Sequence, residues 1–538
     1  MVYDCLVVGA GMAGLTAAAY VSGAGLKVLV LEKEQKVGGL VNSFEKDGFR
    51  FDGGIRALEN SGIIFPMLRQ LGIELEMVRN DVTIGIGSDT VRLTSKDSLG
   101  EYEALLARTF PGYEADVRRI CGEIAKVMQY MDVLYGIDNP LFLDLKKDTH
   151  YLYKTILPWM VKYALTMPKV GKLNMPVSGY LSRLTGNQAL IDMIAQHFFK
   201  ATPTFFALSY FSLYLDYRYP LGGTGSLSGK MRDYTLKNGG EIRTGTEVVL
   251  VDPARKSVRD AGGNEYGYRK LIWAADMKRL YSLLDESSLE DSSIRSAIDS
   301  KRKSLVGKTG GDSILTLYVS SNLDTDYFAR ISSPHFFYTP DKRGMNALCE
   351  EFGQSCEEGY GWRGLSGREE LSRWVHRYLE LTTYEISIPA MRDKSMAPEG
   401  KTGLIISSLM DYGLVERIRD EGWYEEFKKQ CEETILEVLS ATVYPELKDS
   451  VIGTMTSTPL TLAKMTGNTE GAITGWAFTN KPVPAVNSLP RIARSIDTPI
   501  PDVIQAGQWV FSPSGLPTSI LTGKLAADRA IKRLKGGR

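Results

Sequence analysis

The sequence has few residues of the kinds that bind metals or cross-link secreted domains. Only 5 cysteines and 4 histidines occur among its 538 residues. The cysteines form no CxxC pair, and an odd, scattered set of thiols favours a reducing compartment over a disulfide framework. The histidines lie too far apart for a metal-binding helix such as HExxH. These absences argue against a metal centre and against a small secreted domain.

An excess of charge of one sign is also absent. Lys plus Arg and Asp plus Glu both number 64, so the net charge is zero. A protein that binds nucleic acid normally carries a basic excess or a basic stripe. No uninterrupted apolar stretch of about 18 residues occurs, and no signal-peptide pattern precedes the first strand. We therefore expect no nucleic acid as partner, no spanning helix and a cytoplasmic location.

What the sequence does contain is a strand–turn–helix–strand unit at its start. A short apolar run at 6–8 leads into the glycine-rich sequence GAGMAG at 9–14. Residues 15–21 have helical character, and the apolar run 28–31 forms a second strand that ends at Glu32. This order of elements is the dinucleotide-binding fingerprint. With 538 residues in total, we expect at least one further domain.

Each residue of the fingerprint has a physical task. Gly9 permits the tight turn, Gly11 lets a pyrophosphate approach the backbone, and Gly14 allows the helix to pack closely on the strand. The pyrophosphate then meets the free N–H groups at the start of the helix. Glu32 can accept hydrogen bonds from the ribose hydroxyls and would repel a 2′-phosphate. FAD or NAD is therefore favoured over NADP.

The sequence after Glu32 favours FAD. A nicotinamide-binding domain would continue with another strand and helix. Here a double glycine, Gly38 and Gly39, and the run GFRFDGG at 48–54 follow instead. A glycine-rich loop of this kind suits the covering of a larger, extended cofactor.

Several of these motifs resemble those of a known enzyme family. The double glycine at 38–39 and the run at 48–54 resemble the opening of the phytoene desaturase family, which also includes carotenoid isomerases and retinol saturases. The runs YPLGGTGSL at 219–227 and DKSMAPEGK at 393–401 are similar to two further family motifs. Residues 506–517, which end in SGLP, resemble its closing flavin motif. The resemblance covers both ends and the middle of the chain, in the family's order.

This resemblance implies a fold and a division into domains. The expected fold is α/β, with a Rossmann-type FAD-binding domain assembled from discontinuous segments and an inserted α+β substrate domain. The FAD-binding domain is expected to comprise residues 1–72, 219–285 and 491–538. The substrate-binding domain is expected to comprise residues 73–218 and 286–490.

The fingerprint and the resemblance together imply a set of cofactor-binding residues. The resemblance puts the backbone of Val248 beside the adenine, Ala275 at a strand end beside the cofactor, and a helix that begins near Thr518 beside the flavin. The full predicted set is Gly9, Gly11, Met12, Ala13, Gly14, Glu32, Lys33, Gly38, Gly39, Leu40, Val248, Ala275, Gly507, Gln508, Pro517, Thr518 and Ser519.

Four residues are candidates for a direct part in catalysis, although the flavin itself supplies the redox chemistry. Arg56 and Glu59 follow the loop that the resemblance places near the flavin ring. Arg56 either binds or protonates a polar part of the substrate, or it is a surface arginine paired with Glu59. His335 and Tyr338 lie on an aromatic strand as candidate proton donors, or His335 has only a structural role.

An aromatic stretch at 151–165 with interleaved lysines has two readings. It is either a buried core helix or an interfacial patch that meets a membrane surface. Trp159 and Tyr163, together with Lys154 and Lys162, fit the second reading. Peripheral membrane association is therefore an open expectation.

The resemblance implies a flavin-dependent oxidoreductase for carbon–carbon double bonds of a long apolar, isoprenoid-, carotenoid- or retinoid-like lipid. Desaturation, saturation and isomerisation all remain open. Because only one dinucleotide fingerprint occurs, either electrons pass to or from a diffusing donor or acceptor, or the reaction is redox-neutral. Two alternatives remain: an amine-oxidase-like flavoenzyme on a smaller substrate, and a flavin-free prenyl-binding chaperone of the GDP-dissociation-inhibitor type.

Overall fold

The first of two large sheets joins the N-terminal unit to two distant parts of the chain. We describe residues 2–143, 149–354 and 361–536 of a computed structural model. The strands of this sheet lie in the order Glu241–Arg243, Val28–Leu31, Val2–Val8, Glu265–Trp273, Ser257–Asp260 and Val248–Asp252. The strand Val503–Gln505 pairs in parallel with the end of Glu265–Trp273. All four residues of Val28–Leu31 are buried, as expected of a parallel strand covered on both faces.

The strands of this sheet come from residues 2–31, 241–273 and 503–505. All three ranges fall within the segments predicted for the FAD-binding domain. Parallel neighbours require long crossover connections, so a sheet of this kind can be assembled from distant segments. The α/β fold class is confirmed, whereas the domain boundaries themselves stay a prediction.

Two helices pack against each other on this sheet. Met12–Gly23 is rich in alanine and glycine and is buried along almost its whole length. It lies against Leu516–Lys535, and a Cβ at Gly523 would lie only 2.4 Å from the carbonyl oxygen of Ala13. Glycine at this position therefore allows the two helices to touch. The helix that was predicted to begin near Thr518 begins two residues earlier, at Leu516.

The second large sheet belongs to the inserted segments. Its strands lie in the order Val451–Ser457, Ser313–Ser321, Thr402–Met410, Tyr384–Ser387, His335–Thr339, Val82–Ile86 and Asp89–Leu93. One face packs on a core that contains Trp374, Phe336, Tyr338 and Tyr384. The other face is turned toward the first sheet and carries the residues of the candidate site.

Two small sheets connect these parts. One is the hairpin of Ser43–Lys46 and Phe49–Asp52. The other pairs Tyr217–Pro220 with both Leu58–Glu59 and Met77–Arg79. The second of these brings Glu59 next to Tyr217 at the edge of the candidate site.

The remaining helices surround the sheets. The first half of the chain contains helices at Ile64–Leu71, Ser98–Thr109, Glu114–Tyr135, Thr149–Tyr151, Leu157–Gly171, Val177–Leu181, Gln188–Ala195, Thr204–Asp216 and Gly225–Lys237. The second half contains helices at Met277–Ser282, Ser292–Leu305, Thr325–Ala329, Asn346–Glu351, Arg368–Leu381, Tyr412–Asp420, Tyr424–Thr442, Leu447–Ser450 and Pro459–Thr466. Within the described ranges, no helix has both the length and the apolarity needed to cross a membrane.

Candidate functional site

The turn after the first strand brings backbone rather than side chains to the edge of the sheet. Gly9 has a φ of +98°, and a Cβ there would lie 2.8 Å from the carbonyl oxygen of Ala274. A Cβ on Gly14 would lie 1.9 Å from the carbonyl oxygen of Gly9. A Cβ on Gly11 would have no atom within 4 Å, so the start of the helix opens onto a cavity. A helix N-terminus exposed in this way favours a phosphate group.

Glu32 ends the second strand and is held by two backbone donors. The N–H of Ala10 donates to Oε2 at 2.7 Å, and the N–H of Glu34 donates to Oε1 at 2.9 Å. Burial raises the pKa of Glu32 by more than these hydrogen bonds lower it. The carboxylate is thus fixed at the cavity wall, where it can accept hydrogen bonds from the hydroxyls of a ribose.

One cavity of about 1510 Å³ is lined by residues of both large sheets. At one end lie Gly11, Glu32 and Val248 of the first sheet and its turns. The other end is apolar and aromatic, with Phe206, Tyr210 and Tyr318 among its lining residues. Typical sites for a single small molecule measure about 300–1,000 Å³. This cavity therefore has room for a dinucleotide and for a second, apolar molecule beside it.

The C-terminal helix begins at the junction of these two ends. Pro517 occupies its first turn, where the N–H that proline lacks would have no intrahelical partner. Leu516, Thr518 and Ser519 line the cavity, so the positive end of the helix faces into it. Glu59 lies close by, since a Cβ at Gly515 would be 3.8 Å from its Oε1.

Glu59 is a carboxyl group in an apolar setting. Burial raises its pKa to about 7, and the neighbouring charge of Asp216 acts in the same direction. Tyr135, Tyr210 and Tyr217 lie near enough for the charge of Glu59 to raise their own pKa values. Glu59 therefore changes its charge near neutral pH.

Arg56 is a buried residue of the cavity wall. Only 3% of it is exposed, which corrects the reading of a surface arginine paired with Glu59. One terminal nitrogen donates to the carbonyl oxygens of Asp52 and Gly54, and the other donates to Ser407 Oγ at 3.1 Å. The neighbouring sheet thus holds the guanidinium at the wall of the cavity.

The two candidates on the aromatic strand have different surroundings. Side chains alternate along a strand, so His335 faces the cavity whereas Tyr338 faces the core on the opposite side of the sheet. The Tyr338 hydroxyl donates to the carbonyl oxygen of Gly87 at 3.0 Å. Tyr338 lies outside the cavity lining, and its assignment as a proton donor is corrected on that ground.

Glu385 is a cavity residue that was missed in the sequence. It lies on the strand Tyr384–Ser387, beside His335–Thr339, and its Oε1 is 2.9 Å from His335 Nε2. The sequence carried one signal, a single charged residue within the otherwise apolar or small run YEISI at 384–388. A charge on a buried strand requires a partner, but the sequence did not indicate that His335 supplies it.

The segment 149–171 forms one outer wall of the cavity. A π turn at Leu152–Ile156 leads into the helix Leu157–Gly171. Trp159, Tyr163 and Met167 of this helix line the cavity. The opposite face is exposed and apolar, and it consists of Leu157, Met160, Val161, Ala164, Leu165 and Pro168. The helix thus has two apolar faces, one toward the cavity and one toward the outside.

The structure brings nearly all of the predicted site residues to this cavity. Gly14 lies behind the lining, where its missing side chain permits helix–strand packing. The predicted residues in the lining are Gly9, Gly11, Met12, Ala13, Glu32, Lys33, Gly38, Gly39, Leu40, Arg56, Glu59, Val248, Ala275, His335, Gly507, Gln508, Pro517, Thr518 and Ser519. Among the described residues, no group of three or more His, Cys, Asp or Glu side chains could hold a metal ion.

Residues 7–71 match the family of NAD(P)-binding Rossmann-like domains. The fold and the site therefore define a dinucleotide-binding protein of the Rossmann class with a large inserted domain. The solved structure of putrescine oxidase bound to putrescine has the same fold. It aligns with a TM-score of 0.59 and 14% identity over 99% of this chain and 100% of that one.

Two curated relatives extend the similarity to the whole chain. A 4,4'-diapophytoene desaturase (4,4'-diaponeurosporene-forming) of Staphylococcus aureus is 23% identical over 99% of both chains. The chloroplastic prolycopene isomerase of Daucus carota is 23% identical over 85% of this chain and 69% of the relative. These comparisons confirm the resemblance that the motifs at 38–54, 219–227, 393–401 and 506–517 indicate.

Proposed function

We propose that this protein is an FAD-dependent oxidoreductase that acts on carbon–carbon double bonds of a long apolar, isoprenoid-like lipid. The observation that carries the proposal is the cavity, in which a dinucleotide end and a long aromatic end meet at the start of the C-terminal helix. The similarity to a 4,4'-diapophytoene desaturase over 99% of both chains, and to a prolycopene isomerase over 85% of this chain, supports the same substrate class. Desaturation, saturation and isomerisation are the reactions considered.

The residues present fit FAD. Glu32 would hold the adenosine ribose, the open backbone at Gly11 would receive the pyrophosphate, and the double glycine at 38–39 would pass beneath the cofactor. The helix Leu516–Lys535 would direct its positive end at the ring and favour negative charge there. When bound, the flavin supplies acceptance or donation of a hydride.

The aromatic end of the cavity supports an apolar substrate. Phe205, Phe206 and Leu213 line it together with the inner face of the helix Leu157–Gly171. Such a lining excludes water and orients a long hydrocarbon by contact rather than by hydrogen bonds. Since one dinucleotide fingerprint occurs, we further propose that electrons are exchanged with a diffusing donor or acceptor.

We also propose that the outer face of the helix Leu157–Gly171 rests on a lipid bilayer. Tyr153, Leu157, Met160, Val161 and Leu165 are the large apolar residues exposed on this segment, with exposed fractions between 47% and 68%. An exposed apolar stripe of this length marks an interaction surface rather than ordinary surface composition. The other face of the same helix lines the cavity, so an apolar substrate could pass from lipid into the cavity along a short path.

The charge of this segment favours an anionic lipid surface over a protein partner. Residues 149–191 contain no Asp or Glu, whereas Lys154, Lys162, Lys169 and Lys172 are exposed. Basic residues around an exposed apolar stripe are typical of helices that lie in the membrane interface. Each lysine near an anionic surface contributes about 1 kcal/mol to binding.

Purified protein should be yellow, and acid should release FAD rather than FMN. Prolycopene and 4,4'-diapophytoene are the probes for activity, each incubated with oxidised and with photoreduced protein. Mass spectrometry and chromatography should show a gain or loss of two hydrogens or a changed double-bond geometry. A colourless protein that takes up no added FAD would support the prenyl-binding chaperone. Bleaching of the flavin by small amines, without response to either polyene, would support the amine-oxidase alternative.

A further inference from the structure

Glu385, a carboxylate of the cavity lining, lies at the end of a chain of buried polar side chains. Glu385 Oε1 lies 2.9 Å from His335 Nε2, and His335 Nδ1 lies 3.2 Å from Asn80 Nδ2. Asn80 Oδ1 in turn accepts a hydrogen bond from Arg392 at 3.0 Å. Resting on the proposed reaction at carbon–carbon double bonds, we propose that Glu385 exchanges a proton with the substrate carbon and that His335 positions it.

The chain of hydrogen bonds determines which nitrogen of His335 carries the proton. Arg392 can only donate, so it requires the oxygen of the Asn80 side chain on its own side. The Asn80 amide group is thereby left to donate to His335 Nδ1, which accepts. A neutral His335 then carries its proton on Nε2, which lies 2.9 Å from Glu385 Oε1. Because His335 and Asn80 are each 1% exposed, water does not compete for these bonds.

This arrangement leaves Glu385 ionised and open to the cavity. Its side chain is 36% accessible and belongs to the cavity lining. Burial acts to raise the pKa of Glu385, but the interaction with His335 and the charge of Arg56 outweigh it, so the pKa lies below its ordinary value. The titratable groups that interact with this carboxylate are Arg56, His197, Tyr210, Tyr214, Tyr217, His335 and Arg392.

Neighbouring residues suit a positive charge on the substrate. Tyr210 and Tyr217 line the cavity and interact with the charge of Glu385, and the ring centroid of Tyr217 lies 5.3 Å from that of His335. The face of an aromatic ring attracts a cation. Together the carboxylate and the rings form a site for a carbon skeleton that carries transient positive charge.

Desaturation requires the substrate to lose one hydride and one proton from adjacent carbons. When bound, the flavin would accept the hydride with its electron pair, which would leave a positive charge spread over the double bonds of the substrate. Glu385 then accepts the proton from the adjacent carbon, and the electrons of that C–H bond become the new double bond. Saturation is the reverse, with protonated Glu385 as the donor. Isomerisation needs only reversible proton transfer at the same group.

The first test is binding, which does not depend on turnover. Dodecyltrimethylammonium carries a fixed positive charge on an apolar chain, and 1-dodecanol is its neutral counterpart. Both are titrated calorimetrically below micelle-forming concentrations against the wild type, Glu385→Gln, Glu385→Asp and the exposed control Glu433→Gln. The wild type and the control should bind the ammonium at least about tenfold more tightly than Glu385→Gln, a difference of about 1.4 kcal/mol. Affinity for the alcohol should be equal in all four.

The second test is turnover of whichever of prolycopene and 4,4'-diapophytoene the wild type accepts. Loss of a proton-transfer group typically slows a reaction by about 10²–10⁴-fold, so Glu385→Gln should lower kcat to that extent with little change in KM. Glu385→Asp should retain part of the activity. His335→Phe should move the acid limb of the kcat profile to higher pH, because Glu385 then loses the donor that keeps it ionised.

The outcomes separate this inference from the proposed function. If the wild type acts on a polyene and Glu385→Gln keeps both its rate and its ammonium affinity, the inference is wrong and the proposed function stands. If no polyene reacts but ammonium binding depends on Glu385, the carboxylate site stands and the proposed function fails. If Glu385→Gln does not fold, ammonium affinity of the wild type should fall in acid as Glu385 is protonated, and a pH-independent affinity would overturn the inference.

Discussion

Replacing Glu59 by Gln should remove a pH-dependent loss of stability. Burial against Tyr135, Tyr210 and Tyr217, with the charge of Asp216 nearby, raises the Glu59 pKa from its ordinary 4.5 to about 7. The folded protein therefore holds this proton more tightly than the unfolded chain does. The stabilisation of the folded state by this proton is fully present below pH 4.5, and it is lost as the pH rises through about 7.

The size of the effect follows from the change in pKa. One pKa unit is worth about 1.4 kcal/mol, so ionised Glu59 costs the folded state about 3 kcal/mol. A chain of this length has a large entropy of unfolding, and 1 kcal/mol then changes Tm by only roughly 1 °C. Between about pH 4.5 and pH 7, the Tm of the wild type should therefore fall by about 3 °C relative to the Tm of Glu59→Gln.

The assay is thermal unfolding followed by circular dichroism in a series of buffers from acid to slightly alkaline pH. Glu433→Gln serves as control because Glu433 is an exposed helical residue whose side chain is 60% accessible. The Tm of the control should equal that of the wild type at every pH. The Tm of Glu59→Gln should rise relative to both as the pH rises. A constant difference between Glu59→Gln and wild type across the series would refute the reasoning.

Three further predictions test other parts of the molecule. Leu165→Glu should reduce binding to anionic liposomes at least about tenfold, because it removes an apolar contact of about 1.5–3 kcal/mol and adds a negative charge. The control Val306→Glu changes a 75% exposed apolar residue outside the 149–171 segment, and it should leave liposome binding unchanged. Cosedimentation with the liposomes at low salt measures both variants, and equal binding by the two would contradict the prediction. Glu32→Ala should weaken FAD binding about tenfold or more, since two hydrogen bonds to a charged acceptor are lost, and equal occupancy in a flavin-release assay would contradict this. Gly523→Ala should lower Tm, because its Cβ would lie 2.4 Å from the Ala13 carbonyl oxygen, and an unchanged melting curve would show that the two helices can separate.

The cavity links the proposed roles of distant residues. Glu59 and Glu385 are both carboxyl groups of its lining, yet their surroundings move their pKa values in opposite directions. The charge of Asp216 adds to the rise in the pKa of Glu59, whereas His335 and Arg56 lower the pKa of Glu385. Such a separation is typical of sites where one carboxyl holds a proton and another accepts one. The two substitutions Glu59→Gln and Glu385→Gln therefore address different functions of the same cavity.

The sequence alone determined the N-terminal unit and its cofactor class, because those features are local. The glycines at 9, 11 and 14 require a particular backbone path, and Glu32 follows at the end of the next strand. The uninterrupted apolar run made 28–31 recognisable as a strand, and the observed strand is Val28–Leu31. The family resemblance extended these inferences to the motifs at 219–227, 393–401 and 506–517.

Only the tertiary structure decided which distant residues share the cavity. In the sequence, His335 and Tyr338 are equivalent candidates on one strand. The alternation of side chains along that strand and the packing of the second sheet place His335 at the cavity and Tyr338 in the core. Glu385 acquires its partner through the pairing of two strands that are distant in sequence, from Phe336 opposite Ile386 to Tyr338 opposite Tyr384. The helix Leu157–Gly171 has two apolar faces. Only the structure shows that one of them lines the cavity and that the other is exposed. Sequence patterns report the local backbone and the degree of burial, whereas pairings between distant side chains depend on how the elements pack.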